Sequence, residues 1–221
     1  MQYINKVGIE LEGFFNIERY NSLNHNGLIK YDGSVVSNEL DSREYKAGEI
    51  ASEPLTIDQV SGFIDEFYPC KVNHTCGLHI HLSFNDNAYQ TFIDKYCHDY
   101  IIENLKKYCF KTLKGNDLKL FTQRVSNYNN YCRVNYIANS QLYGNGTRYT
   151  AINYSAYNKH KTIELRLLPM FESKVMAYAI ISYYLKLVER FLNKNHVKKT
   201  IVYNETIIIK KTRKEVIKLC V

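Results

Sequence analysis

The sequence predicts an α+β protein built on an antiparallel β-sheet, with helices packed on one face and the other face open. Three observations predict this class. Several short segments alternate apolar and polar residues, segments with helical spacing lie between them, and the 221 residues have an ordinary globular composition, 45% hydrophobic and 23% charged. Clean alternation leaves one sheet face wet, which favours antiparallel strands over doubly buried parallel ones.

Alternation over four segments is typical of half-buried strands, and these segments are residues 6–15, 77–84, 150–154 and 162–168. A further short strand is expected over residues 49–54, ended by Pro54. A polar loop follows the first strand, with Asp32-Gly33-Ser34 as a predicted turn. In each alternating strand, aliphatic side chains face the predicted core and polar side chains face the other way.

Helices are predicted between these strands. Thr56 and Gln59 form a capping box ahead of a short amphipathic helix. A long helix is expected over about residues 87–110, and Ser173 is expected to cap another that runs to about residue 193. Residues 116–145 are polar and tyrosine-rich and have no clear pattern. A hairpin over residues 200–210 and a short basic helix are expected at the end.

Chain length, charge, cysteine pattern and hydropathy limit the kind of protein this can be. One domain is expected over residues 1–195, with 196–221 as a basic extension that holds much of the formal charge of +7. Such a segment can attract nucleic acid, although a solvated surface is the commoner case. The six cysteines form no CxxC pair, so buried reduced thiols are expected. No apolar run approaches the roughly 18 residues of a membrane helix, and a soluble cytoplasmic protein without a signal peptide is expected.

Ionisable residues occupy the wet face of the first and second of these strands. Glu10 and Glu12 lie two residues apart, and two such carboxylates repel each other unless a cation lies between them. Mg²⁺ and Mn²⁺ prefer oxygen ligands of this kind. His79 and His81 form a similar pair that could share a metal or reach a phosphate. Taken alone, the glutamate pair is better explained by a solvated strand face, and the histidine pair is explained equally well by ordinary hydrogen bonds.

The last strand carries Glu164 and Arg166 on its wet face. The acid could hold a metal while the arginine clamps a phosphate, although a cross-strand ion pair explains the two residues more simply. Three strands with such faces together favour a shared metal and phosphate site over three separate solvated or ion-paired faces. A sheet floor that also held Glu49 would concentrate charges that cations and phosphates neutralise.

Four strings of sequence carry a family resemblance, and in chain order they are GIELEG, GEIASEPL, CGLHIHLSF and RYTAINYSAYNKHKTIELRL. Together they resemble the amidoligase family of carboxylate–amine ligases, whose catalytic sheet is of the glutamine synthetase or γ-glutamylcysteine synthetase type. The resemblance covers about residues 8–167, and the lysine-rich segment after about residue 195 lies outside it. It implies that ATP converts a carboxylate to an acyl phosphate, from which an amine displaces phosphate.

The resemblance also implies a role for each site residue. Two or three Mg²⁺ ions, or Mn²⁺, would bridge the ATP phosphates, held by four carboxylates: Glu10, Glu12, Glu49 and Glu164. His79 or His81 would contact the phosphates or a metal. Arg166 would steady the transferred phosphoryl group, with Arg148 as a second phosphate contact. Arg124 and Arg133 are weaker candidates for binding substrate.

One string departs from the family pattern. The family usually has a valine before Ser52 and a proline after it, where this chain has Ala51 and Glu53. Glu53 therefore competes with Glu49 as a metal ligand, and we favour Glu49.

Two other classes of function stay open at this point. The same residues suit a phosphotransferase, or a metal-dependent hydrolase that uses His79, His81 and Glu164. The basic end of the chain and the 20 tyrosines suit a non-enzymatic nucleic-acid-binding protein, although tyrosines more often pack at core edges. For a ligase, the expected substrates are a small-molecule, peptide or protein carboxylate and an amine. In so short a chain, a partner or a homodimer could complete the site.

Overall fold

A five-stranded antiparallel sheet forms the centre of the computed structural model, which describes residues 1–37, 39–85, 87–126 and 132–195. Its strands are β1 (Ile4–Asn16), β2 (Tyr45–Ala51), β3 (Gly77–Phe84), β4 (Ile152–Asn153) and β5 (Ile163–Pro169). They lie in the order β2-β1-β3-β5-β4, and every neighbouring pair is antiparallel. The predicted α+β class and antiparallel sheet are thereby confirmed.

The register of the strands aligns their polar faces. Residues directly opposite each other in a sheet share a face, because side chains alternate between faces along every strand. Three opposing pairs join the charged positions of β1, β2, β3 and β5, namely Glu12 with Glu49, Glu10 with His79, and His81 with Glu164. All these side chains therefore lie on one surface, as the alternation predicted.

Helices fill the sequence between the strands: α1 (Ile17–His25), a 3-10 turn (Ile57–Gln59), α2 (Val60–Phe67), α3 (Ala88–Phe92), α4 (Lys95–Thr112), α5 (Gly115–Arg124), α6 (Ala138–Leu142), α7 (Ala156–His160) and α8 (174–195 within the described part). Ile64 of α2, Ile101 of α4 and Tyr184 of α8 share one hydrophobic core with the apolar sheet face. That face contributes Ile9 and Leu165, which are fully buried. Burial of this face stabilises the sheet and leaves the polar face open to solvent.

Helix starts follow the predicted caps. The Thr56 N–H donates to Gln59 Oε1 at 2.8 Å, and the Met176 N–H donates to Ser173 Oγ at 3.2 Å. The single long helix over residues 87–110 was wrong. Asp94 has an extended backbone, and its side chain accepts the Tyr96 N–H, so it ends the short α3 region and begins α4.

Other boundaries differ from the prediction as well. β2 begins four residues earlier than expected and ends at Ala51, before Pro54. Beyond this end, Leu55 forms an isolated antiparallel bridge with Val7 of β1. The strand expected over 150–154 shrinks to the two residues of β4. Helices are also not confined to one face, since α7 contributes to the wall of the open side.

Some predictions fall partly or wholly outside the described residues. The hairpin over 200–210, the basic helix and the whole extension 196–221 lie there. Of the described cysteines, Cys76, Cys97, Cys109 and Cys132 are buried as expected, whereas Cys70 is exposed. Within the described ranges, no helix combines the length and the apolar character needed to cross a membrane.

Candidate metal and nucleotide site

The open face of the sheet is the floor of a cleft of about 540 Å³. All five strands contribute polar residues to this floor, which are Glu10, Glu12, Glu49, His79, His81, Asn153, Glu164 and Arg166. The walls come from the loop around Tyr31, from Arg148 and Tyr149, and from α7. The cleft therefore brings together side chains that lie up to about 150 residues apart in the chain.

Two groups of potential metal ligands lie side by side on this floor. The first group is Glu10, His81 and Glu164, and the second group is Glu12, Asp32 and Glu49. In each group, one ligand atom of every residue lies within 4.8 Å of those of the other two. Sets of carboxylate oxygens, with or without an imidazole, suit Mg²⁺ and Mn²⁺.

Asp32 is a member of the second group that sequence reasoning missed. The backbones of Lys30 and Glu49 exchange two hydrogen bonds, of 2.9 and 2.8 Å, so the loop before Asp32 lies along the outer edge of β2. Asp32 follows two residues later and lies on the same side as Glu49. Its Oδ1 also accepts from the N–H and the hydroxyl of Ser34. That turn chemistry explains the Asp-Gly-Ser string locally, so the string alone gave no reason to place Asp32 in the site.

Glu10 lies between the two histidines of β3. His79 Nδ1 is 2.9 Å from Glu10 Oε2, and His81 Nε2 is 2.9 Å from Glu10 Oε1. Burial acts to raise the pKa of Glu10, but the hydrogen bonds to His79 and His81 outweigh it and hold that pKa well below its usual range. Glu10 is therefore an anion at the centre of the floor.

The pKa of Glu49 is shifted in the opposite direction from that of Glu10. Burial, followed by the charges of Glu10 and Glu12, raises the pKa of Glu49 to about 7. The second group thus holds more negative charge than its protein surroundings neutralise. A divalent cation in this group would relieve the repulsion.

Cationic side chains flank the carboxylates. Arg166 donates from Nη1 to Glu164 Oε1, and its buried Nε has no hydrogen-bond partner among the described residues. The side chains of Lys30, Arg148 and Lys159 line the cleft from exposed positions. A buried guanidinium N–H with no acceptor within the described ranges, next to several exposed cations, favours an anionic ligand such as a phosphate.

Three further predicted residues lie away from the cleft. Arg124 is buried beside the floor residue His79, and its Nε and Nη2 each donate to the Arg166 carbonyl at 3.3 Å. Arg133 is exposed, and its backbone pairs with Thr150. Glu53 is exposed in a neighbouring groove, whereas Glu49 lines the cleft. The geometry thus favours Glu49 over Glu53, and neither arginine is among the residues that line the cleft.

Comparisons with known proteins leave the family open. The resemblance to amidoligases rests on four strings of sequence, all of which supply residues to the cleft floor and the last of which also supplies Arg148. Any activity has to be inferred from the cleft itself. No protein-family model, no curated protein and no solved structure matches this chain.

Proposed function

We propose that the protein is an ATP- and Mg²⁺-dependent carboxylate–amine ligase with a glutamine synthetase-like catalytic sheet. One observation carries the proposal: two carboxylate-rich ligand groups share a sheet floor with Arg166, whose buried Nε finds no acceptor in the described part of the chain. Carboxylates bind hard divalent cations, and a guanidinium binds phosphoryl oxygens. A site with both suits a nucleoside triphosphate together with its cations.

The donor sets of the two groups fit Mg²⁺, and Mn²⁺ could replace it. Glu10, His81 and Glu164 would hold one cation, and Glu12, Asp32 and Glu49 would hold another. Bound cations would neutralise phosphate oxygens and so make the terminal phosphorus more susceptible to attack. The raised pKa of Glu49 is consistent with this fit, because burial and the charges of Glu10 and Glu12 disfavour its ionised form and a bound cation would favour it.

Arginine and lysine side chains would position the nucleotide. Arg166 is fixed by its bond to Glu164, so its remaining N–H groups are oriented before ATP binds. It would stabilise the charge that develops on the transferred phosphoryl oxygens. Arg148 and Lys30, both exposed at the rim, would contact the outer phosphates.

The reaction then consists of two displacements. An oxygen of the substrate carboxylate attacks the terminal phosphorus of ATP, the bond to ADP breaks, and an acyl phosphate forms. The amine nitrogen next attacks the acyl carbon, the bond to phosphate breaks, and the amine loses a proton as amide and inorganic phosphate are released. Neither step needs a protein nucleophile, and both need positioned positive charge.

A phosphotransferase is the second candidate, because the same cleft would support the first displacement with a hydroxyl acceptor. The two functions differ in their products. A ligase joins two components with loss of water and releases inorganic phosphate, whereas a phosphotransferase leaves the phosphoryl group on its acceptor.

Mass spectrometry of small molecules and peptides, incubated with the protein, ATP and Mg²⁺, tests the proposal. We expect condensation products that require ATP, and a loss of at least about 100-fold in their rate in Glu12→Gln and Arg166→Ala. Glu53→Gln is the matched control, since it removes an exposed acid outside the cleft and should match wild type. Phosphorylated products would indicate the phosphotransferase, and wild-type rates in both cleft variants would refute a role for this site.

A further inference from the structure

We infer that His79 is a positioning residue that fixes Glu10, and that His81 is the histidine of this pair that binds the cation. The assignment of the cation rests on the proposed function, whereas the hydrogen-bond roles of His79 rest on geometry alone. The two residues are neighbours on the same strand face and look equivalent in the sequence. Their surroundings differ in one decisive respect.

Arg124 determines which nitrogen of His79 carries the hydrogen. Its Nη2 lies 3.3 Å from His79 Nε2, and both groups are buried. A guanidinium can only donate hydrogen bonds, so Nε2 has to be the acceptor and carries no hydrogen. A hydrogen on Nε2 would place two N–H groups against each other in a buried site.

The other nitrogen of His79 is then the donor. Nδ1 carries the ring hydrogen and donates to Glu10 Oε2 at 2.9 Å. With Nε2 committed to Arg124 and Nδ1 committed to Glu10, His79 has no free lone pair for a cation. Glu12 Oε1 lies 3.5 Å from Nε2, farther than Arg124 Nη2 at 3.3 Å, and Glu12 Oε2 accepts the Gly77 N–H at 2.5 Å.

His81 has a partner that leaves its metal-binding nitrogen available. Its Nδ1 lies 3.3 Å from the Thr162 hydroxyl, which can accept a hydrogen bond as well as donate one. In the cation-free protein Nε2 donates to Glu10; when a cation takes the place of that hydrogen and Nδ1 donates to Thr162, the Nε2 lone pair points toward the oxygens of Glu10 and Glu164, 2.9 and 4.0 Å away. The side chain of His81 is 17% exposed and that of His79 is 2% exposed, so His81 is also the more accessible.

Gly77 makes the arrangement around His79 possible. A Cβ at this position would lie 2.6 Å from His79 Nε2, 2.8 Å from Arg124 Nη2 and 2.9 Å from Glu12 Oε2. Real Cβ atoms do not approach other heavy atoms so closely. The three side chains can therefore converge here only because residue 77 is glycine.

Nitrogen NMR of histidine-labelled full-length protein, without divalent cation, tests the roles of His79. The missing signal in His79→Asn identifies its resonances among those of the seven histidines. We expect His79 in wild type to have a protonated Nδ1 and an unprotonated Nε2. A protonated Nε2, with or without a protonated Nδ1, would overturn the inference.

Pulsed EPR of bound Mn²⁺ tests the division of labour between the two histidines. We expect one directly bound histidine nitrogen in wild type, retained in His79→Ala and lost in His81→Ala. Removing the donor to Glu10 in His79→Ala should weaken Mn²⁺ binding about 10- to 100-fold. His79→Asn, which restores an N–H donor near the place of Nδ1, should recover most of that affinity.

The two measurements separate failure of the inference from failure of the proposed function. Loss of the nitrogen coupling in His79→Ala with its retention in His81→Ala, or two bound nitrogens in wild type, would overturn the inference. If wild type binds no Mn²⁺, the proposed function loses its cation, and the NMR spectrum still decides the hydrogen-bond roles of His79.

Discussion

Single residues in the cleft show how charge is distributed on the floor. Glu10 accepts hydrogen bonds from two histidines and stays ionised, whereas Glu49, opposite Glu12 on the neighbouring strand, keeps a proton to about pH 7. Both are glutamates on the same sheet face, and the sequence does not distinguish them. Burial acts to raise the pKa of both, but the register gives Glu10 hydrogen bonds to the histidines of β3, whereas the charges of Glu10 and Glu12 add to the effect of burial on Glu49.

The proton on Glu49 makes the stability of the cation-free protein depend on pH. Its folded pKa of about 7 lies above its ordinary value of 4.5, so the contribution is fully present below 4.5 and is lost as the pH rises through 7. We expect the melting temperature in EDTA to fall between about pH 5 and 8, and to fall less in Glu49→Gln. The pKa of His81 is also raised, against its burial, by Glu10, but His81 is present in both proteins. Equal slopes of melting temperature against pH in wild type and Glu49→Gln would contradict this explanation.

Two tyrosines outside the cleft test how much a hydrogen-bond acceptor for a buried hydroxyl contributes to stability. Tyr184 is fully buried in α8, and its hydroxyl has no hydrogen-bond partner among the described residues. The Tyr68 hydroxyl donates to the Phe171 carbonyl at 2.7 Å. Denaturant unfolding should show Tyr184→Phe to be neutral or up to about 1 kcal/mol more stable, because a desolvated hydroxyl is removed. Tyr68→Phe should be about 1 kcal/mol less stable; the reverse order of the two variants would be a contradiction.

Individual strands and helices show what the sequence can and cannot predict. Alternation predicted β3 with its observed bounds, because strict period two has no other good explanation over eight residues. The break before α4 was missed, since Asp94 interrupts helical spacing by only a few residues and its capping role depends on its own backbone angles. Asp32 was missed because its loop joins β2 through backbone bonds that carry no side-chain pattern.

Gly77 at the start of β3 offers a test at the scale of this strand. Gly77→Ala should disrupt the convergence of His79, Arg124 and Glu12, and should weaken Mn²⁺ binding at least about 10-fold. Gly62→Ala is the control, because Gly62 lies exposed in α2 with open space around it. That variant should keep its affinity and gain about 0.5–1 kcal/mol in unfolding free energy. Calorimetric titration with Mn²⁺ and thermal unfolding measure both effects, and an unchanged affinity in Gly77→Ala would count against the geometry.

At the scale of the whole molecule, the topology makes the site. The order β2-β1-β3-β5-β4 puts β1 and β3 at the centre, so that acids from β2 and β5 reach them from either side. The alternation in the sequence was enough to predict that Glu10, Glu12, Glu164 and Arg166 lie on the polar face of their strands. It could not supply the strand order or the register, because both depend on contacts between residues far apart in the chain. Arg124, a weaker candidate for substrate binding, is instead buried with its Nη2 3.3 Å from His79 Nε2.

The central claim is that this cleft binds a nucleotide through divalent cations held by the sheet. Calorimetric titration with a non-hydrolysable ATP analogue, with Mg²⁺ and then with EDTA, measures it most directly. We predict binding in Mg²⁺ that is lost in EDTA and is weakened at least about 10-fold in Glu12→Gln, with Glu53→Gln equal to wild type. An affinity for the analogue that is the same with and without Mg²⁺, or no binding under either condition, would contradict the claim.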